Sequence, residues 1–595
     1  EIGDKVMFGI DEWKTFLENE LKAYLGTDEI TPLSVGVPPK SDMGDIAFPM
    51  FPYAKAAKKG PQQIAQDLKD RIGENHPEGT ILIAGPYFNV SLDISALSPA
   101  IYREVVNKGE SYGRSQKKKG TKAMVEFSCP NTNKPLHLGH MRNDSLGEAV
   151  SALQKSQGAE VMKVNLINNR GVHICKSMLA YKLFGNGETP QSTGEKGDHF
   201  VGRYYVRFAQ WEKEAEKMKE ENPSCVLSPD WVDPDQEAQK MLRAWEDGDQ
   251  EVRALWEKMN GWTISGLEES YRNMGISFDK FYYESETYKF GKEEILKGVE
   301  KGIFQKEEDG SVQVDLSPIG LDKKVLLRKD GTSLYMTQDI GTAIRRHEDW
   351  PFDSLTYVVA SEQKYHFTVL FYCLGLLGYE WAKELHHLSY GMVNLPEGKM
   401  KSREGTVVDA DDLLSELTTL AKEEIIAKGR EGEVEDVEET GRKIALGALN
   451  YYLLQVSPTK DMVFNPKESI SFNGNTGPYL QYTGARISSI LRKHEGEEGD
   501  FDGSLLSLDD EKALLKLIDS FPEIVEKAAD GFDPSVIAGF LYDAAKTFSH
   551  YYHDNRILNA ESPELVKARV MLVKMLSVVM RNGFALIGVP FLEVM

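Results

Sequence analysis

The sequence predicts a multidomain α/β + all-α chain. A small N-terminal α/β domain comes first, then a parallel-sheet α/β domain split by a helical insertion, then a C-terminal α-helical bundle. Three observations predict it. The apolar runs Ala123–Phe127 and Leu355–Ala360 are short enough for buried parallel strands, and each leads through a polar loop into a segment with helical spacing. Residues from about 186 to 285 are polar, acidic and tryptophan-containing, which reads as an inserted helical unit. From Lys443 onward only long amphipathic segments remain, at Ala445–Leu454, Pro478–Leu491, Leu505–Ala528, Pro534–Tyr552 and Pro563–Leu586.

Composition narrows the class. A chain of 595 residues has room for several domains, and 41% hydrophobic content is ordinary for globular protein. There is no run of about 18 apolar residues, so no membrane span is expected. No signal-peptide pattern opens the chain, which starts at Glu1. Cys129, Cys175, Cys225 and Cys373 are scattered, with no pair at zinc-ligand spacing. That argues against structural zinc and fits a reducing cytoplasm. The net charge of −23 disfavours nucleic-acid contact except through a local positive face. From residue 541 onward six Lys/Arg stand against five Asp/Glu, so the acidic excess fades towards the C-terminal end.

The first unit is placed at residues 1–118. Trp13, Phe16, Leu17, Leu21 and Leu25 share one helical face. Gly44–Pro49 and Gly85–Val90 read as strands or turns entering a sheet, and Lys117–Lys119 with Gly120 as an exposed linker. The second unit, 119–395, opens on Ala123–Phe127. Pro130 and Pro135 then break regular structure, and after His140 the positions Leu146, Val150 and Leu153 resume helical spacing. Strand, loop and helix in that order aim free N–H groups and a positive helix end at an anion. His137 and His140 stand where the helix begins, with Gly139 between them, and two imidazoles there can donate to phosphate oxygens.

The run Pro130-Asn-Thr-Asn-Lys-Pro-Leu-His-Leu-Gly-His140 resembles the nucleotide-binding signature of class I aminoacyl-tRNA synthetases, in the form typical of the arginyl-tRNA synthetases. The resemblance covers nearly the whole chain and implies a Rossmann-like catalytic domain. Ala159–Ile167 reads as its second strand, followed by Asn168-Asn-Arg-Gly-Val-His-Ile174. The family usually has Asp where Asn169 stands; the change keeps hydrogen bonding and removes a charge. Gly197-Asp-His-Phe-Val-Gly-Arg-Tyr-Tyr205 resembles the start of the family's insertion, whose tryptophans read as core. Near 320 the second half begins, with a turn at Asp330-Gly331, then a strand and a helix carrying Tyr335 and Asp339 on one face. Ser361–His366 follow the strand Leu355–Ala360, so residues 126–140 and 361–366 can meet over one crevice.

Two further units follow, a signature-loop region at 396–440 and an all-α domain at 441–595. Gly398-Lys-Met-Lys-Ser-Arg-Glu-Gly405 matches the position of the family's Lys-Met-Ser-Lys-Ser loop but carries Lys401 and Ser402 at its third and fourth places. In such members the lysine upstream of His-x-Gly-His, here Lys134, is thought to compensate.

The resemblance implies an arginine–tRNA ligase, which joins arginine to AMP from ATP with release of pyrophosphate and then moves it to the 3′-terminal adenosine of tRNA(Arg). Class I membership implies attack by the 2′-hydroxyl, and the family needs tRNA for activation. His137, His140, Lys134 and Lys399 are the catalytic candidates. Pro130, Gly139, His366, Met400 and Ser402 join His137, His140 and Lys399 around ATP. Glu126, Asn131, Tyr335, Asp339 and Gln363 fall on positions that hold arginine, with Asp339 the carboxylate for the guanidinium. A helix N-cap is the alternative role for Asp339, since Ile340-Gly-Thr-Ala343 follows. Tyr479, Gln481, Tyr482 and Arg486 are expected to contact or support the anticodon arm, and the first unit to touch the tRNA elbow. Mg²⁺ is expected to arrive with ATP rather than in a protein cage, and the chain to act as a cytoplasmic monomer. Two other readings stay open: a different His-x-Gly-His nucleotidyltransferase, and a non-catalytic tRNA-binding relative.

Overall fold

The computed structural model describes residues 8–396 and 408–595. The second signature, with Lys399, Met400, Lys401 and Ser402, lies outside the described residues. In the N-terminal unit α1 (Ile10–Leu25) buries Trp13, Leu17 and Leu21. The Trp13 ring meets Phe88 of an antiparallel sheet, β1 (Ile46–Pro49), β2 (Thr80–Ala84) and β3 (Tyr87–Ser91), in the order β1-β3-β2. Helix α2 (Pro61–Ile72) packs on β2 and β3. Helix α3 (Ile94–Lys108) then leads the chain against the C-terminal bundle, where the Ser95 hydroxyl donates to Leu506 O at 2.6 Å. The lysine run is not a free linker. Lys117 pairs with Glu526 and Asp530, and Lys118 donates to Gln154, because the turn they occupy is wedged between bundle and sheet helix.

The central sheet has the order β11-β10-β4-β5-β6, all parallel. Its members are β4 (Lys122–Glu126), β5 (Glu160–Ile167), β6 (Lys280–Tyr283), β10 (Ser354–Ala360) and β11 (Leu385–Tyr390). A small antiparallel sheet, β7 (Gln305–Lys306), β8 (Val312–Val314) and β9 (Lys324–Leu327), precedes β10. From β4 the chain builds outward through β5 to β6, then returns to the other side of β4 for β10 and β11. The strand order reverses between β4 and β10, where Glu126 stands opposite Tyr357. A crevice opens at the carboxyl ends of strands at such a switch point. The edge strand β6 falls in the last residues of the range read as insertion. No strand follows the Asp330-Gly331 turn as expected. Ser333 makes a single bridge to Leu327, because helix starts at Tyr335.

Helix α4 (Leu138–Ser156) follows β4, and α5 (Val172–Phe184) follows β5. The insertion is helical: α6 (Gly197–Glu221), α7 (Pro234–Glu246) and α8 (Gln250–Met274). Four of its five tryptophans pack inward as expected, Trp231 being the exception. Trp245 is buried against Trp256, Trp211 meets Phe208 and Trp262 meets Phe200, each edge to face. The second half supplies α9 (Tyr335–Asp349) and α10 (Lys364–Leu376). Helix α11 (Ala410–Ala427) packs on the first bundle helix, α12 (Val437–Leu454), which is followed by α13 (Gly477–Lys493), α14 (Asp509–Asp530), α15 (Ser535–Asp554) and α16 (Pro563–Leu586). Arg142 on α4 locks sheet to bundle. Its buried guanidinium donates to the carbonyls of Gly391 and Lys460 at 2.6 and 2.8 Å.

Candidate active site

The chain leaves β4 through Ser128 and Cys129, both non-glycine residues at positive φ (75° and 50°). Such residues cost of order 1–3 kcal/mol each and persist only where surroundings hold them. Here two asparagines do. Ser128 N donates to Asn143 Oδ1 at 2.6 Å, and Cys129 N to Asn165 Oδ1 at 3.1 Å. Asn143 also donates to Val358 O, so one side chain clips β4 to β10 at the switch point. The bend carries Pro130–Lys134 over the sheet edge towards the start of α4.

His137 is the N-cap of α4. Its Nδ1 accepts from the N–H of Gly139 at 3.0 Å and of His140 at 3.4 Å, while its own N–H donates to His140 Nδ1 at 3.1 Å. The motif is therefore a capping box made of two histidines. Gly139 is required by contact. A Cβ there would lie 2.8 Å from His137 Cε1. Because both Nδ1 atoms accept, both protons sit on Nε2, and each ring offers one outward N–H. Burial, with Lys134 second, pushes His137 down to about 4. Burial, then His137 and Lys134, hold His140 well below its usual value. The two imidazoles are thus neutral donors at pH 7. No carboxylate pairs with Lys134 among the described residues, so its charge is available to a ligand anion.

The residues after the second signature return to this loop. Leu138 N donates to Val408 O, and Ala410 N to Leu136 O, at 3.0 and 2.9 Å. Asp409 thereby bridges His137.

The opposite lip is acidic. Asp339 is not a helix cap: α9 starts at Tyr335, and Asp339 lies one turn inside it. Its Oδ2 is 2.5 Å from His366 Nε2 on α10. Tyr335, 71% exposed, stands one turn earlier, and Gln363 is exposed in the turn before α10. Glu126 is buried and ion-paired with Arg346, a buried residue of α9, so its charge is engaged internally. Asn131 pairs through its backbone with Asn168. Asn169 is buried and accepts from Ser285 N at 2.9 Å, which makes the residue in place of the family's Asp a clamp on the end of β6. That clamp places Glu284, which the sequence reading missed. Burial pushes the Glu284 carboxyl up to about 7; Arg170 opposes this and Asp339 adds to it. The helical turn that opens on Glu284 packs on α9, which carries Asp339. Nothing local marks Glu284, since its neighbour is over fifty residues away in sequence.

On the C-terminal bundle, Gln481 is fully buried and donates to Lys443 O and Pro590 O, a supporting role. Tyr479 donates to Ser549 within the bundle. Tyr482 and Arg486 instead line a cleft of ≈ 340 Å³ with Arg430, Arg492, Lys493 and Tyr552. Burial alone would raise the Tyr482 phenol, but Arg486 and Arg430 hold it below its usual value. Four cations, Arg430, Arg486, Arg492 and Lys493, stand against Glu433 and Glu593 in the lining of the cleft.

Among the described residues, Asp198, His199 and Asp411 form the one group of three metal-type ligands within reach of a single ion. The Lys196 ammonium already stands 3.1 and 2.7 Å from Asp198 and Asp411, where a cation would sit.

Comparison with known proteins identifies the family. The model of class I tRNA synthetases (R), catalytic domain, matches residues 101–466. The arginyl tRNA synthetase N-terminal domain matches 11–92, and the DALR anticodon binding domain 480–595. The arginine–tRNA ligase of Treponema denticola is 54% identical over 581 residues, 96% of each chain. That of Bacteroides thetaiotaomicron is 47% identical over 565 residues, 92% of this chain and 93% of its own. The arginyl-tRNA synthetase structure of Thermus thermophilus superposes with a TM-score of 0.75 at 28% identity, covering 98% of this chain and all of that one. The chain belongs to the arginyl-tRNA synthetases of class I.

Proposed function

From that membership we propose that the chain is an arginine–tRNA ligase. The observation that carries this reading at the residue level is a contrast between two lips: two Nε2–H donors on one, and on the other two carboxylates, Asp339 and Glu284, on elements packed together. An arginine carboxylate oxygen attacks the α-phosphorus of ATP, the bond to the bridging oxygen breaks, and pyrophosphate leaves. The adenylate carbonyl is then attacked by the 2′-hydroxyl of the terminal adenosine, which loses its proton as AMP departs.

Charge develops on phosphate oxygens in the first step, so positioned donors do more than a nucleophile could. His137 and His140 donate through Nε2, and Lys134 adds its charge beside them. Lys399, Met400 and Ser402 complete the phosphate side, with Pro130 and Gly139 close to the nucleotide. On the other lip Asp339 and Glu284 receive the guanidinium, whose planar fork suits two carboxylates. Asp339 Oδ1 is left for this, because Oδ2 already holds His366. Asn131 and Gln363, both neutral, serve the ammonium and carboxylate end. Mg²⁺ comes with ATP, held by phosphates and water, and offsets phosphate charge. The anticodon arm meets the Tyr482/Arg486 cleft. The chain works as a monomer in the cytoplasm, a compartment that suits its four free thiols.

ATP–pyrophosphate exchange with and without tRNA tests the reading. Exchange that needs arginine is the expected outcome. Exchange without any amino acid would point to another nucleotidyltransferase, and no exchange under any condition to a non-catalytic relative.

A further inference from the structure

The catalytic reading leaves unused a group of charges at the root of the insertion. His199 lies in the first turn of α6, and its buried Nε2 is 3.1 Å from Asp409 Oδ2 and 3.1 Å from Asp411 Oδ2, at ion-pair distance from both and aligned as a hydrogen bond with neither. Lys196, just before α6, reaches Asp411 at 2.7 Å, Asp198 at 3.1 Å and the Ser270 hydroxyl at 2.5 Å. Ser270, on α8, donates in turn to Asp411 Oδ1 at 2.9 Å. Two glycines permit this approach. A Cβ on Gly266 would lie 2.3 Å from Asp198 Oδ1, and one on Gly197 2.1 Å from Trp262 O.

The three carboxylates face two cations. Asp409 and Asp411, in that order, hold the His199 imidazole protonated, pushed up to about 10 against burial. The same pairing keeps Asp411 down at about 2 although burial opposes it. The cluster is therefore an ionic clamp at neutral pH.

What the clamp grips matters more than its strength. Asp409 Oδ1 caps α11 through Asp412 N, its Oδ2 meets His199, and its backbone bridges His137. The flanking N–H···O bonds, Leu138 to Val408 and Ala410 to Leu136, make that bridge a two-bond ladder. The route from His199 to the His137 ring is thus one ion pair and one backbone bridge. His137 in turn sets the tautomer of His140.

We propose that His199 is a positioning residue for adenylate formation, which by gripping Asp409 fixes the His137–His140 pair against the α-phosphate. It rests on the ligase reading above but makes its own claim, that the insertion helps to set the geometry of the nucleotide lip. Displacement of about 1 Å of a group in a reacting centre can cost on the order of a hundredfold in rate.

The test is a double-mutant cycle on arginine-dependent ATP–pyrophosphate exchange by the full chain with tRNA(Arg) present. His199→Ala should lower kcat at least tenfold, with the KM for arginine within about twofold of wild type. In a His137→Ala background the same change should cost less than about twofold, because the ring it positions is gone. His199→Arg, which keeps a cation, should recover most of the rate, and His199→Gln should not. A merely structural role predicts the opposite: equal losses in both backgrounds, a lowered melting temperature, and normal kcat for the folded fraction. Either equal losses or normal kcat would overturn the proposal. If His199→Ala does not fold, Asp409→Asn supports the same cycle, since it keeps a capping oxygen and loses the charge. If wild type itself showed no exchange, the ligase reading would fail rather than this one.

Discussion

The two lips of the crevice are built in different ways. The histidine lip is local. Four consecutive residues form a cap, and their own N–H groups set both tautomers. The carboxylate lip is assembled from the ends of β6, α9 and α10, which are far apart in sequence. The two imidazoles are neutral and owe their outward donors to the hydrogen bonds on Nδ1, with Lys134 the charge beside them. On the acidic lip burial, with Asp339 a lesser contributor, raises Glu284 to about 7 against the pull of Arg170. The histidine lip sets its tautomers locally and is tied to the rest of the chain through the Asp409 bridge, whereas the carboxylate lip depends on every element that brings it together.

The sharpest way to break this contrast is at Asp339. Asp339→Asn should lower kcat/KM for arginine by roughly 10³–10⁴-fold, the scale for a polar site that loses its partner for a buried group. The KM for ATP should hardly move. The preference for arginine over citrulline should narrow in competition assays. If only the melting temperature fell, Asp339 would belong to the helix and not to the pocket.

The second effect is on the other lip. His140→Ala removes one Nε2–H donor and, through His137 N, half of the capping box. Loss of one positioned donor costs about 3 kcal/mol of transition-state stabilisation, or roughly 10²–10³ in rate. Single-turnover adenylate formation should slow by that amount while the KM for arginine stays put. A rate within threefold of wild type would remove the histidines from the chemistry.

Glu284 sharpens the comparison through pH. Its carboxyl, near 7 in the free chain, must ionise to hold a guanidinium. The KM for arginine should therefore fall as pH rises from 6 to 8. Glu284→Gln should weaken arginine about tenfold at pH 8 and erase that slope. Persistence of the slope in the variant would assign it to another group.

The smallest effect concerns what lies behind the histidine lip. Asp144 on α4 is buried, and neither carboxylate oxygen has a hydrogen-bond partner; the Ser128 hydroxyl nearby is engaged with Tyr271. Burial pushes it up to about 8. The folded chain thus keeps a proton that the unfolded chain has lost, so this group destabilises increasingly as pH rises from about 4 to 8. Asp144→Asn should raise unfolding free energy at pH 8 by about 2 kcal/mol, the scale for a buried unpaired group. At pH 4 it should change little. Urea denaturation at the two pH values checks both, and an equal effect at each would mean that Asp144 titrates normally.

The amino-acid sequence by itself determined what depends on neighbours along the chain. Ala123–Phe127, the proline-broken loop and the resumed period at Leu146 were enough for strand, loop and helix, because burial of a short apolar run and a 3.6-residue period are local signals. The helical bundle followed from amphipathic spacing for the same reason, its observed helices lying within a few residues of those expected from Pro478, Pro534 and Pro563. Even His137 as a cap is a four-residue event. Tertiary structure decided which charges meet. It paired Glu126 with Arg346, took Asp339 out of a cap and gave it His366, and turned Asn169 into a clamp that delivers Glu284. It also converted a lysine run that reads as solvated into a contact with α14. The physical reason is range. Hydrophobic period and capping act over one or two turns, whereas ion pairs and buried carboxylates are set by distances between elements that only the packed sheet and its insertion define.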